Sequence, residues 1–209
     1  MAVFDHLAVG AADLTQGAAW ARESFGVDVP TGGSHPLMST HNLLARLSAG
    51  YFEIIAVDPG APSPARPRWY GLDDPEIRAS LKVAPHPVAW VVEVSDLHAA
   101  MAAASWDPGE ALSVTRGDLS WRLTVPKDGS APERVLPTLI EWPAGPPVDR
   151  MSRIGLSLER LILRHPQPSM IRDALASVDA LDLAVEVAIE QGSPKLLATL
   201  SGPDGSLTV

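Results

Sequence analysis

The sequence contains no cysteine. That excludes thiolate nucleophiles, Cys-ligated zinc and disulfides, and nothing in the chain calls for an oxidising compartment. It also lacks an uninterrupted apolar run of about eighteen residues, and the opening MAVFDHLAVG has no basic segment ahead of an apolar one. Neither a membrane span nor export is expected, and a cytoplasmic location is the default. Positive charge is scarce, with 16 Lys and Arg against 25 Asp and Glu and a formal net charge of -9. Such a balance opposes counterion-releasing contacts with phosphate backbones, so nucleic acid is a poor partner. No Ser sits in a Gly-x-Ser-x-Gly elbow, and Thr31-Gly32-Gly33-Ser34 lacks the spacing of a nucleotide-binding loop. Serine-hydrolase chemistry is disfavoured and no nucleotide cofactor is expected.

What the chain does contain is a weak internal repeat. Residues 3–21 align without gaps on residues 86–104, and Phe52-Glu53-Ile54 aligns with Ile140-Glu141-Trp142. In the first copy, residues 4–9 read as a strand. Asp13 with Gln16 three positions on reads as a capping box, and Leu14, Ala18, Ala21 and Phe25 form an apolar helical stripe that Gly26 ends. Residues 31–36 read as turn-rich, with a further short strand expected near 27–29. Residues 42–47 and 51–57 read as two strands joined by Ser48-Ala49-Gly50. The prolines at 59, 62, 64, 67 and 75 make residues 58–75 an irregular excursion that carries Trp69 and Tyr70 and could cover a site, and Asp74-Pro75 starts a short helix.

The second copy continues with a strand over 88–94, a helix capped by Asp96, and strands over 121–125 and 139–142. Prolines at 143, 146 and 147 mark its end. Two modules, 1–82 and 83–147, are therefore expected within one domain. Residues 148–209 read as a C-terminal β-α-β-β extension with strands over 158–163, 183–189 and 196–200. At about sixty residues it is too short to hold a core comfortably alone, so it should pack on the same core. The fold class is α+β.

Taken together, Phe4-Asp5-His6-Leu7, Ser39-Thr40-His41-Asn42, Tyr51-Phe52-Glu53-Ile54-Ile55 with Asp58-Pro59, and Leu139-Ile140-Glu141-Trp142 resemble the vicinal-oxygen-chelate superfamily, in its glyoxalase-like domain branch. The resemblance covers roughly residues 3–142. It implies paired β-α-β-β-β modules whose curved sheets form a cup, with a His from the first strand and a Glu from the last strand of a module pointing inward as metal ligands. His6 and Glu53 match that pair in the first module. Glu141 matches the Glu of the second, but Ala89 stands where its His would be. His41 is a candidate for a further ligand.

One or two His with carboxylates suit divalent zinc, nickel, manganese or iron. A bound metal would act as a Lewis acid for lyase or isomerase chemistry on a small oxygen-bearing metabolite, with Glu53 or Glu141 as catalytic base. Each of these acids lies in an apolar strand, where an unpaired charge is costly, so an Arg such as Arg46, Arg68 or Arg122 would serve as an alternative partner. Trp69, Tyr70 and Trp142 are the candidate substrate-pocket residues, whereas Trp90, Trp106 and Trp121 read as core or rim aromatics. The alternative is a non-catalytic protein of the drug-sequestering type, binding a small molecule in the same cup. A third reading is a module kept for assembly. A monomer suffices for one cup, and a homodimer is equally compatible.

Overall fold

The structure, a computed structural model, describes residues 2–209. Each of the first two modules is a β-α-β-β-β unit. The first comprises β1 (Val3–Gly10), α1 (Leu14–Phe25), β2 (Thr31–His35), β3 (Thr40–Arg46) and β4 (Tyr51–Val57), followed by the excursion and α2 (Pro75–Val83). The second comprises β5 (His86–Glu93), α3 (Leu97–Ala103), β6 (Glu110–Arg116), β7 (Leu119–Val125) and β8 (Thr138–Glu141). Their strands form one eight-stranded sheet in the order β2-β3-β4-β1-β5-β8-β7-β6. β1 and β5, the repeated first strands, pair antiparallel at its centre, and each pairs parallel with the last strand of its own module.

The sheet curls until its end strands β2 and β6 face each other. Its two faces carry two separate apolar clusters. The outer face holds Phe4, Leu7, Phe52, Ile54 and Trp90 against the helices and the extension. The inner face holds Ala8, Ile55, Ala89, Val91 and Ile140 together with Trp69 and Trp121. This side-to-side alternation is the period of two that a strand imposes.

Local chemistry explains the element ends. Asp13 accepts from the Gln16 amide at 2.8 Å while Gln16 Oε1 accepts from the Ala12 amide at 2.8 Å, a reciprocal cap on α1. Gly26 ends that helix at φ +70°, and Asp74 and Asp96 cap α2 and α3. Residues 31–35 form an edge strand, not the expected turn, and there is no strand at 27–29. The glycines make room on it: a Cβ on Gly32 would lie 2.2 Å from Asn42 Oδ1, and one on Gly33 2.9 Å from Arg116 Cδ. β6 is a strand beyond those expected: its apolar alternation is confined to Leu112 and Val114 in an otherwise polar, half-exposed segment, too little to mark a strand.

Gly50 turns β3 into β4 at φ +64°, and a Cβ there would lie 2.1 Å from the Asp5 carbonyl oxygen. Gly50→Ala is expected to destabilise by about 2–3 kcal/mol in urea unfolding, from left-handed backbone strain plus displacement of β1. A change below about 0.5 kcal/mol, the usual scatter of surface substitutions, would show that the turn relaxes freely.

The C-terminal part contains β9 (Ser157–His165), α4 (Pro168–Ser177), β10 (Glu186–Gln191), β11 (Lys195–Gly202) and β12 (Gly205–Thr208), one strand more than expected. They form a second sheet in the order β10-β9-β11-β12. Its Leu161, Leu163, Leu196 and Leu200 share the outer-face cluster of the large sheet, with Ile171 and Leu175 from α4. No helix of the described residues is long and apolar enough to cross a membrane.

Candidate functional site

The inner face of the large sheet surrounds a narrow cavity of about 30 Å³ that opens to solvent. A bulge in β1 decides what faces it. Phe4 pairs with Val92 and His6 with Val91, leaving Asp5 without a cross-strand partner. Adjacent Asp5 and His6 therefore both turn inward, while Phe4 and Leu7 pack outward.

His6 Nδ1 lies 2.5 Å from Asp5 Oδ1, and His6 Nε2 lies 3.5 Å from Glu53 Oε2. The imidazole stacks on Tyr51 with centroids 4.4 Å apart. Asn42 Nδ2 donates to Glu53 Oε1 at 2.5 Å, and Trp142 Nε1 donates to Asp5 Oδ2 at 2.9 Å. Asn42 Oδ1 in turn accepts from the Gly33 amide at 2.9 Å and from Arg116 at 3.4 Å. A chain of polar contacts thus runs Trp142, Asp5, His6, Glu53, Asn42, Arg116, from the end of β8 to the place where the sheet nearly closes.

Asp5, His6 and Glu53 are all buried. Burial alone would lower the His6 pKa, but the bonds to Asp5 and Glu53 and their negative charges raise it to about 9. Burial would likewise raise Glu53, yet the bond and charge of His6, with His35 and Asn42, hold it at about 2. The cluster is an imidazolium between two carboxylates. His35 faces the same cavity, with Nδ1 3.0 Å from Thr40 Oγ1; burial lowers its pKa to about 4, and it stays neutral.

Trp69 and Tyr70 sit on a single 3-10 turn of the proline-rich excursion and line the cavity, as does Trp142. His41 and Glu141 are not brought together with His6 and Glu53. In β3, Asn42 and Leu44 face the cavity, so His41 and Leu43 face away. In β8, Ile140 and Trp142 face the cavity, and Glu141 points outward, where it accepts from Arg122 and from the Leu97 amide at the start of α3. Arg122 holds the Glu141 carboxyl below its usual range. The partner of Glu53 is thus His6, whereas Arg46 and Arg68 pair with Asp149 and Asp73.

Strand register also shows which residue stands opposite Glu53 in the repeat. Ala8 pairs with Glu53, and its counterpart Val91 pairs with Thr138. Thr138, not Glu141, is the second module's equivalent. Asp5, His35, Asn42 and Arg116 also belong to the site, although no motif singles them out as site residues. The period of two was the available signal, since Glu141 and Trp142 are neighbours in one strand and cannot both face one cup without a bulge.

A model of the glyoxalase-like domain family matches residues 4–178, most of the chain. The chain belongs to the glyoxalase-like domain family. Its fold is similar to that of a hypothetical protein from Staphylococcus aureus, at 15% identity and TM-score 0.58, with 100% of this chain and 85% of that one covered. The methylmalonyl-CoA epimerase of Mycobacterium tuberculosis is 19% identical at TM-score 0.41, covering 70% of this chain and 91% of that one. A variant of the Streptomyces coelicolor methylmalonyl-CoA epimerase in complex with 2-nitronate-propionyl-CoA is 18% identical at TM-score 0.42, covering 68% and 97%. No curated protein matches this glyoxalase-like chain in sequence.

The glyoxalase-like fold implies a divalent metal between the modules, and the residues here do not fit one. The first module offers His6 and Glu53, but the second offers Ala89 and Thr138. His6 has both ring nitrogens turned to carboxylates, and one Glu53 oxygen is bonded to Asn42. Among the described residues, no three His, Asp or Glu side chains converge as a ligand set.

Proposed function

We propose that this glyoxalase-like protein binds a small oxygen-bearing organic molecule in the cup between its modules without a divalent metal, as a small-molecule-binding protein. The observation that carries this reading is the pairing of the cup's acids and imidazole with one another beneath aromatic walls. Glu53, held at about 2, is a weak base, and His6, at about 9, is already protonated at neutral pH. Neither is poised for the proton abstraction that lyase or isomerase chemistry requires. Polar groups ringed by Trp69, Tyr70, Trp121 and Trp142 instead suit orientation of a ligand held mainly by apolar contact.

The test pairs elemental analysis of protein purified without chelator with thermal-shift screening of small aromatic acids, diols and dicarbonyl adducts. Substoichiometric metal is expected, together with a ligand that raises Tm by about 5–10 °C at a hundredfold excess over Kd, unaffected by chelator. Stoichiometric zinc, nickel, manganese or iron, lost in Glu53→Ala, with ligand binding abolished by chelator, would overturn the proposal in favour of a metal-dependent lyase or isomerase.

A further inference from the structure

We propose that the cleft between α2, the loop joining β7 to β8 and the start of β11 binds an aliphatic amine through its protonated nitrogen; this goes beyond the reading of the cup and does not depend on it. The cup has about 30 Å³ of free space, whereas this cleft has about 890 Å³. That lies within the range of about 300–1,000 Å³ usual for small-molecule sites. Ile77 of α2, Pro87 and Val88 of β5 and Leu196 of β11 form the apolar part of its lining. Among the described residues no Phe, Tyr or Trp lines it, so its walls suit an aliphatic body and offer no such ring for stacking.

The walls are tied to one another. The Gly71 amide donates to the Gly129 carbonyl at 2.8 Å, which joins the proline-rich excursion to the β7–β8 loop. Gly129 sits at φ +76°, and a Cβ there would lie 2.0 Å from the Arg68 carbonyl oxygen, so only glycine lets the two segments approach this closely. On the other side, His86 Nε2 lies 2.8 Å from Ser80 Oγ and His86 Nδ1 lies 3.1 Å from the Pro87 carbonyl oxygen, linking α2 to β5. A cleft held this way is formed before any ligand arrives, which lowers the ordering cost of binding.

Charge selects the polar end of the ligand. Of the acids on the lining, Asp73 is bonded to Arg68 at 2.6 Å and Glu76 lies 3.4 Å from Arg134. Asp74 and Asp128, also on the lining, have no cation within 4.0 Å among the described residues. Asp74 uses Oδ1 to cap α2, and Asp128 uses Oδ1 to accept from the Ser130 amide and hydroxyl. The second oxygen of each is left for a ligand. The bonds from Ser130 hold the Asp128 carboxyl below its usual range, so it is charged at neutral pH. Against these two carboxylates the lining sets one unpaired cation, Lys195. The net charge of -9 over the whole chain adds a field of the same sign. An ammonium group on an apolar chain answers both features, and a carboxylate in its place would meet repulsion.

The experiment is an amide-resolved NMR titration of the full chain with three probes of one chain length, octylammonium, octanoate and octanol, for wild type and the double variant Asp74→Asn with Asp128→Asn. Each substitution keeps a side-chain oxygen for the helix cap and for Ser130, and circular dichroism and Tm establish that the variant is folded. Octylammonium is expected to shift the amides of Ile77, Ser80, Val88 and Leu196 and to leave those of Asn42 and Glu53 in the cup unmoved. It should bind the wild type at least about tenfold more tightly than octanoate and about threefold more tightly than octanol. The double variant should bring octylammonium within about twofold of octanol while leaving octanol affinity unchanged within about twofold. Octanoate binding as tightly as octylammonium, or an ammonium preference that survives the double variant, would overturn the amine assignment. Shifts confined to the cup, or no saturable shifts with any probe up to about 5 mM, would overturn the cleft as the site. If the double variant fails to fold, Asp128→Asn alone and the three-probe ranking in wild type decide the matter.

Discussion

His6→Ala is expected to lower stability at neutral pH by about 3–5 kcal/mol, the cost of removing one member of a buried charge cluster and leaving the others uncompensated. The variant keeps Asp5 and Glu53 buried a few ångströms apart with no cation between them. As the pH is lowered, His6→Ala should therefore lose less stability than the wild type, because the uncompensated Glu53 takes up a proton while the acid limb carried by His35 is common to both.

The wild-type dependence follows from three groups. The folded pKa of His6 is raised from 6.5 to about 9, so its contribution is complete below 6.5 and is lost as pH rises through 9. His35 is lowered from 6.5 to about 4, so its contribution is complete above 6.5 and is lost as pH falls through 4. Glu53 is lowered from 4.5 to about 2, and its contribution disappears below 4.5. The shifts of His6 and Glu53 describe one interaction from its two ends and are counted once. These groups place the stability maximum near pH 6.5, with an alkaline decline that His6→Ala removes. Urea unfolding of both proteins from pH 5.5 to 9 checks this; parallel declines above 6.5 would show that the imidazole does not carry the alkaline limb.

Trp90→Ala should cost a similar amount, about 3–5 kcal/mol, for a different reason. Trp90 lies on the central strand β5, is fully buried on the outer face, and donates from Nε1 to the Val135 carbonyl at 2.8 Å. It joins the middle of the sheet to the segment between β7 and β8. Truncation leaves a cavity the size of an indole in the cluster that also seats the extension, and strands a buried carbonyl. Trp90→Phe fills most of that space and should cost only about 1–3 kcal/mol, largely the unpaired carbonyl. A small difference between the two variants in denaturant unfolding would mean that the surrounding core collapses to fill the gap.

Much of the architecture was legible because it is written in local signals. The capping residues Asp13, Asp74 and Asp96 and the stop at Gly26 need only their own neighbours in the chain, and the apolar runs of β4 and β5 bury on both faces whatever their partners. The repeat announced two equivalent modules because equivalent first strands must supply equivalent core positions. β2 and β6 carry only weak local signals, for the complementary reason. They are edge strands, rich in glycine or polar residues, and are held by the neighbours they pair with.

The site required the folded molecule. Sequence placed His6 and Glu53 in apolar strands, where a charge needs a partner, but an alignment has no means of showing that a bulge turns Asp5 inward beside His6 or that ladder register matches Glu53 with Thr138. A strand reverses its side chains at every residue, so a shift of one position moved His41 and Glu141 to the outer face. Nor does local sequence reveal that closing the sheet carries Arg116 across the seam to Asn42, 74 positions away in the chain. By itself the sequence determined the modules and their apolar faces, because propensity and periodicity act over a few residues. The tertiary structure decided which charges meet, because register, bulges and closure are fixed only when distant strands pair.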